Sequence, residues 1–169
     1  LFLIGHSFGG QLAAKYASRH QEQIDKLILI GPAGVRDNSW PMQVKRAIFG
    51  LAAKIGKQIF KVLPGKESFR WLLYKLAREK DYYQAYPELR QTMANVIAED
   101  IQKNLSSIEA ETLLIWGMQD TASLFANSQI FNQEIVQSHL VSIPNARHSP
   151  QYTHSEQVSQ IIISFLDQS

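Results

Sequence analysis

Leu1-Phe2-Leu3-Ile4-Gly5-His6-Ser7-Phe8-Gly9-Gly10 opens the chain and decides how the rest is read. Four consecutive apolar residues without polar alternation predict the end of a strand buried on both faces. From Ser7 to about His20 the pattern is helical, with Leu12, Tyr16 and Ala17 supplying apolar bulk and Ala13 and Ala14 staying small. Lys26–Gly34 (KLILIGPAG) is a second apolar run closed by Gly31-Pro32 and Gly34. A strand, a helix and a strand within some thirty residues form a βαβ unit, so the two strands are expected to be parallel. The pentapeptide Gly5-His6-Ser7-Phe8-Gly9 is therefore a G-x-S-x-G pattern set between a buried strand and a helix. In that setting a serine stands on a sharp turn with its side chain projecting from the sheet. Glycines at the minus-two and plus-two positions leave room for the backbone to fold tightly, and Gly10 extends that clearance. A serine that merely caps the helix is the plainer alternative.

The βα rhythm stops after Gly34. Residues 36–80 hold eleven Lys or Arg against three acids, a net +8, while the rest of the chain carries −6. A basic module inserted in an acidic framework is expected. Val44, Ile48, Leu51, Ile55, Ile59 and Val62 recur at helical spacing, with Arg46, Lys54, Lys57 and Lys61 opposite them. Further helices are expected over about Glu67–Lys80 and from Pro87 through Ile101. The rhythm resumes with Thr112–Gly117 (TLLIWG) as a third buried strand and a helix from about Leu124 to Val136. His139–Pro144 (HLVSIP) is a shorter, more alternating strand of the kind found at an edge, and Glu156–Asp167 is a closing helix.

A serine hydroxyl becomes a useful nucleophile only when a base takes its proton, and the base needs a carboxylate to orient it. Both belong at the carboxyl ends of the parallel strands, where an open sheet forms its crevice. Asp120 lies three residues past Gly117, and His148 lies four residues past Pro144. Asp37, after the second strand, is the rival acid, with a turn role as its alternative. His154, at the start of the last helix, is the rival base. Strand-end placement favours Asp120 and His148. His6 reads as a packed residue of the turn, Trp116 as core, Glu99 and Asp100 as solvated, and His20 and His139 belong to no constellation.

Three separated stretches resemble the α/β-hydrolase superfamily: GHSFGG its nucleophile elbow, TLLIWGMQD its acid-bearing strand and loop, and IPNARHSPQYTHSEQVSQIIISFL its histidine loop and final helix. The resemblance implies Ser7 as nucleophile, Asp120 as acid, His148 as base and the Phe8 amide as an oxyanion-hole donor, with Gly5, His6, Gly9 and Gly10 building the elbow. Arg147 departs from the pattern, since the family commonly has glycine before its histidine. A serine nucleophile sets aside the dehalogenase and epoxide-hydrolase branches. The implied fold is a partial α/β-hydrolase: about four mostly parallel strands with flanking helices, residues 1–35 and 106–169 as core and 36–105 as an inserted helical lid. The family has about eight strands, so a fragment is expected, with the strands before the elbow and the second oxyanion donor lying upstream, and with little or no activity by itself. Its first strand would be a bare edge.

The implied reaction is hydrolysis of a carboxylic ester or related acyl compound through an acyl-enzyme. A C–C bond hydrolase, lactonase, peptidase, acyltransferase or non-catalytic binding protein on the same scaffold stays open. The chain has no cysteine, which excludes disulfides, thiolate metal sites and a cysteine nucleophile and fits a reducing, cytoplasmic compartment. No cofactor or metal is implied. The partner expected is a small acyl substrate. Nothing marks a nucleic-acid binder. The basic lid is read as lysines in water ahead of a membrane-docking helix.

Overall fold

The computed structural model describes residues 1–35, 92, 95, 96 and 98–168. Asp37 and the amphipathic basic helix lie outside the described residues, as does the helix expected over 67–80. The chain divides into two units, one formed by Leu1–Arg36 with Ile97–Ser169 and the other by Asp37–Val96. All that follows concerns the first.

Its sheet has four parallel strands, β1 (Phe2–His6), β2 (Lys26–Ile30), β3 (Glu111–Gly117) and β4 (Ser138–Ile143), in the order β1-β2-β3-β4. The register pairs His6 with Ile30, Ile30 with Ile115 and Gly117 with Ile143. All four strands thus run toward one end, which is where the expected site residues follow them.

The helices are α1 (Ser7–Ala17), a short α2 (Gln102–Leu105), α3 (Phe125–Glu134), a short α4 (Pro150–Thr153) and α5 (Ser155–Leu166). They form two layers. Ala13, Ala14 and Ala17 of α1, Leu105 of α2 and Phe131 of α3 pack with Leu27, Leu29, Leu114 and Trp116 on one face. Val158 and Phe165 of α5 pack with Ile28, Ile30, Leu113 and Ile115 on the other. Every residue of β2 is buried because consecutive side chains alternate between two covered faces. That is why its apolar run shows no alternation.

Three expectations need correction. β1 is not buried on both faces: Phe2 and Ile4 are 53% and 51% exposed. Within the described sheet it pairs on one side only, with β2, and only its Leu3 face packs on the core. The expected helix through Ile101 also stops early. Ala98 is helical, Glu99 and Asp100 are not, and Ile101 is fully buried in the α1 layer. Glu99 is not simply solvated either: its carboxylate accepts from Lys15 Nζ at 2.6 and 2.5 Å, and its carbonyl accepts from Gln11 Nε2 at 3.2 Å. These bonds fasten to α1 the residues just before α2. Among the described residues, no helix is long and apolar enough to cross a membrane.

One buried cation locks α5 to the sheet. Lys26 is 6% exposed, and its Nζ donates to the Phe165 carbonyl at 2.7 Å while standing 4.9 Å from the Phe165 ring centroid. The last carbonyls of a helix lack intrahelical donors and carry its negative dipole end, so an ammonium there satisfies both. Lys26→Met keeps the stem and deletes the charge. It is expected to cost about 1–3 kcal/mol in urea denaturation, with faster amide exchange confined first to the end of α5.

Candidate active site

The turn from β1 into α1 aims Ser7. His6 ends β1 in extended geometry (φ −116°, ψ 137°), and Ser7 follows with φ +52°. That left-handed conformation costs a residue with a Cβ on the order of 1–2 kcal/mol. It persists because the packing on either side is tight. A Cβ at Gly5 would lie 2.6 Å from the Gly9 carbonyl oxygen and 2.7 Å from the Gly10 Cα, and one at Gly10 would lie 2.9 Å from the Pro32 Cβ. The plus-two glycine differs from expectation: among the described residues, a Cβ at Gly9 would meet nothing within 4 Å. The closure of the turn rests on Gly5 and Gly10.

The strain at Ser7 has a measurable signature. Within a helix alanine ordinarily outranks glycine by about 1 kcal/mol. At this position Ser7→Gly is expected to be the more stable of the two by about 1 kcal/mol, because glycine carries no penalty at positive φ. Paired urea titrations of Ser7→Gly and Ser7→Ala check the sign, since both lack the hydroxyl.

Asp120 and His148 meet Ser7 at the carboxyl end of the sheet. Ser7 Oγ–H donates to His148 Nε2 at 2.8 Å, and His148 Nδ1–H donates to Asp120 Oδ2 at 2.8 Å. The carboxylate fixes the tautomer: with the proton on Nδ1, Nε2 is left to accept. Asp120 is 4% exposed. Its other oxygen accepts the amides of Ala122 at 2.8 Å and Ser123 at 3.0 Å. A buried carboxylate with both oxygens engaged cannot swing away from the imidazole.

The loops that carry these groups are tied to one another. Gln119 N donates to the Ala146 carbonyl at 2.9 Å, joining the acid loop to the histidine loop. Ser123 Oγ donates to the Pro32 carbonyl at 2.6 Å, joining the acid loop to the end of β2. Trp116 Nε1–H donates to the Ser123 carbonyl at 2.9 Å while the ring packs on Phe131, centroids 5.6 Å apart. Trp116 is core, as expected, and also a donor to the acid loop. Reading the sequence missed Ser123. Its signal was the Asp-x-x-Ser spacing, in which an aspartate bonds the amides two and three residues on.

The rival base is engaged elsewhere. His154 precedes α5 and its Nδ1 shares a hydrogen bond with Thr153 Oγ1 at 2.9 Å. His20 packs against Tyr16, and His139 lies 3.8 Å from Glu111 Oε1. Arg147 does not keep His148 from its partners. The Phe8 amide lies in the first turn of α1, where helix geometry supplies no intrahelical acceptor. Among the described residues no group of three or more His, Asp or Glu could hold a metal ion.

His6 faces this assembly. Its Nε2–H donates to the His148 carbonyl at 2.9 Å. Burial pushes its pKa below the ordinary 6.5, with the nearby His148 adding to the decrease and the carbonyl bond and Asp120 opposing it. As pH falls through 6.5 the unfolded chain therefore takes up this proton before the folded one does. Stability contributed by neutral His6 is present above 6.5 and declines from there toward the lowered native value. Urea midpoints between pH 7.5 and 5.5 are expected to fall less in His6→Gln than in the unaltered chain.

Across residues 1–153 the chain matches the family described as serine aminopeptidase, S33. It belongs to that α/β-hydrolase family. Among curated relatives of this S33 chain, the AB hydrolase superfamily protein YisY of Bacillus subtilis is 28% identical, over 96% of this chain and 65% of its own length. A 2-hydroxy-6-oxo-6-phenylhexa-2,4-dienoate hydrolase of Burkholderia cepacia is 25% identical, over 97% and 62%. The human monoacylglycerol lipase ABHD6 is 25% identical, over 97% and 54%. The chain thus spans roughly half to two thirds of the length of these relatives. Among solved structures, an α/β hydrolase from the metagenome of lagoon sediments at Mar Chica superposes with a TM-score of 0.63 at 18% identity, over 99% of this chain and 61% of that one. The fold is thereby that of an α/β-hydrolase in part, and the homologues are hydrolases.

Proposed function

We propose that this S33-family chain carries the catalytic triad of a serine hydrolase acting on a carboxylic ester or related small acyl substrate. The observation that supports it is the unbroken hydrogen-bond series from Ser7 through His148 to Asp120, each link 2.8 Å. Ser7 Oγ attacks the acyl carbon as His148 Nε2 takes its proton. The Asp120 carboxylate faces the Nδ1–H of the imidazolium that forms and stabilises it. The Phe8 amide, at the positive end of α1, donates to the developing oxyanion. His148 then returns the proton to the leaving alkoxide, which departs as the alcohol. Water, deprotonated by His148, opens the acyl-enzyme and releases the acid and free Ser7. In this reading residues 1–35 and 106–169 are the catalytic framework and the basic segment between them is a lid. Ile101 and Leu105, buried beside α1, extend that framework a few residues earlier.

The test is labelling by a fluorophosphonate probe; p-nitrophenyl ester turnover, measured alongside, is expected to be little or none in this chain by itself. Labelling needs one attack by Ser7 and reports the nucleophile even where turnover is slow. Stoichiometric modification located at Ser7 by mass spectrometry, and lost in Ser7→Ala, is the expected result. A folded chain that stays unmodified overturns the proposal. A second reading draws on the Burkholderia relative, named a dienoate hydrolase: C–C bond hydrolysis with the same triad. Ser7-dependent cleavage of a 2-hydroxy-6-oxodienoate faster than any ester would favour it.

A further inference from the structure

We infer that His6 is a positioning residue for His148: by donating Nε2–H to the His148 carbonyl, it holds the histidine loop where His148 Nε2 meets Ser7 Oγ. The inference rests on the serine-hydrolase reading and adds a residue that the triad does not contain. Three observations carry it. His6 is the last residue of β1 and immediately precedes Ser7, so the anchor and the nucleophile share one peptide unit. The acceptor, at 2.9 Å, is the carbonyl of the very residue whose ring receives the Ser7 hydroxyl. The two imidazoles also lie against each other, centroids 4.9 Å apart and tilted by 45°. One bond therefore sets the distance between nucleophile and base from the backbone side, while Asp120 sets the ring orientation from the other.

A carbonyl only accepts, so His6 holds its proton on Nε2 in its neutral form. Neutrality matters here. The described titratable groups acting on His6 are His148 and Asp120. When His148 takes the Ser7 proton it becomes a cation beside the His6 ring, and a charged His6 would oppose that step. Burial, which favours the neutral form of His6, removes the repulsion while leaving the tether intact.

The test compares His6→Gln, His6→Asn and His6→Ala by fluorophosphonate labelling of Ser7. The terminal nitrogen of glutamine lies at about the reach of imidazole Nε2, whereas that of asparagine stops at the reach of Nδ1. His6→Asn and His6→Ala are expected to label about 10- to 100-fold more slowly, a loss in the maximal rate with unchanged probe affinity, as for a misplacement near 1 Å. His6→Gln is expected to recover most of that loss. Proton NMR supplies a readout independent of labelling. The hydrogen-bonded His148 Nδ1–H is expected as a sharp downfield resonance in the unaltered chain and His6→Gln, and broadened in His6→Asn. Should His6→Ala fail to fold, the Gln and Asn pair decides. Equal labelling and an equal resonance in all variants would overturn the tether. An unaltered chain that does not label at all sinks the hydrolase reading instead, and the resonance still decides whether His6 holds the loop.

Discussion

His148→Gln is expected to slow phosphonylation of Ser7 by about 10⁴- to 10⁶-fold, with little change in the urea midpoint. Glutamine can occupy the same space and accept or donate a hydrogen bond, but it cannot take a proton at neutral pH. Ser7 would then have to attack as a neutral alcohol or pass its proton to water, with no imidazolium for the Asp120 carboxylate to stabilise. In the proposed mechanism Ser7 and His148 act as one unit, so the effect is expected not to add to that of Ser7→Ala. His154→Gln is the matched control. Its ring is bonded to Thr153 Oγ1, not to Ser7, and its labelling rate is expected to stay at the starting value. Asp120→Asn should fall near His148→Gln, on the order of 10⁴-fold, because an amide facing Nδ1 would favour the tautomer that puts the proton on Nε2. Equal rates in His148→Gln and the unaltered chain would mean that the 2.8 Å contact with Ser7 is packing and not chemistry.

What could be read from residues alone follows from what each element needs. β2 and β3 announce themselves because both faces are covered, so Lys26–Ile30 and Glu111–Gly117 are almost continuously apolar. Parallel strands send their carboxyl ends to one edge, so Asp120 and His148 could be matched to Ser7 by counting from strand ends. For β1 the expectation of a bare edge holds within the described sheet, and the expectation of burial on both faces does not, for a physical reason. Its sequence is as apolar as that of β2, yet Phe2 and Ile4 stand half exposed, and an apolar pattern shows what a strand can bury, not what covers it. The support around the site was less legible because it runs through backbone atoms. The Pro32 carbonyl that receives Ser123, the Ala146 carbonyl that receives Gln119 and the His148 carbonyl that receives His6 have no side-chain signature. Glu99 looked solvated because its partner, Lys15, lies 84 positions away on α1.

Gly117→Ala is expected to be the most damaging small substitution in the framework, for a reason that links the sheet to the site. Gly117 ends β3 opposite Ile143, where the chain must pass under the loop that carries His148. A Cβ placed there would lie 2.2 Å from the Arg147 carbonyl oxygen and 2.5 Å from that of Ala146. Both are backbone atoms, so no rotamer change relieves the overlap, and the loop or the strand must move by roughly an ångström to reach ordinary contact distance. Moving the strand end disturbs the bond from Met118 N to the Ile143 carbonyl, 3.1 Å, and that from Gln119 N to the Ala146 carbonyl, 2.9 Å. Moving the loop carries His148 away from Ser7 and Asp120. A cost of about 3 kcal/mol or more is expected in urea denaturation, at the upper end of overpacking penalties. In whatever fraction remains folded, Ser7 labelling should fall at least 100-fold, since a shift near 1 Å in a reacting pair costs about that much. The two readouts separate the alternatives. Lost stability with normal labelling would place the strain in β3, and lost labelling with normal stability would place it in the histidine loop. If both are unchanged, β3 and the loop do not approach as closely as the 2.2 Å clearance requires.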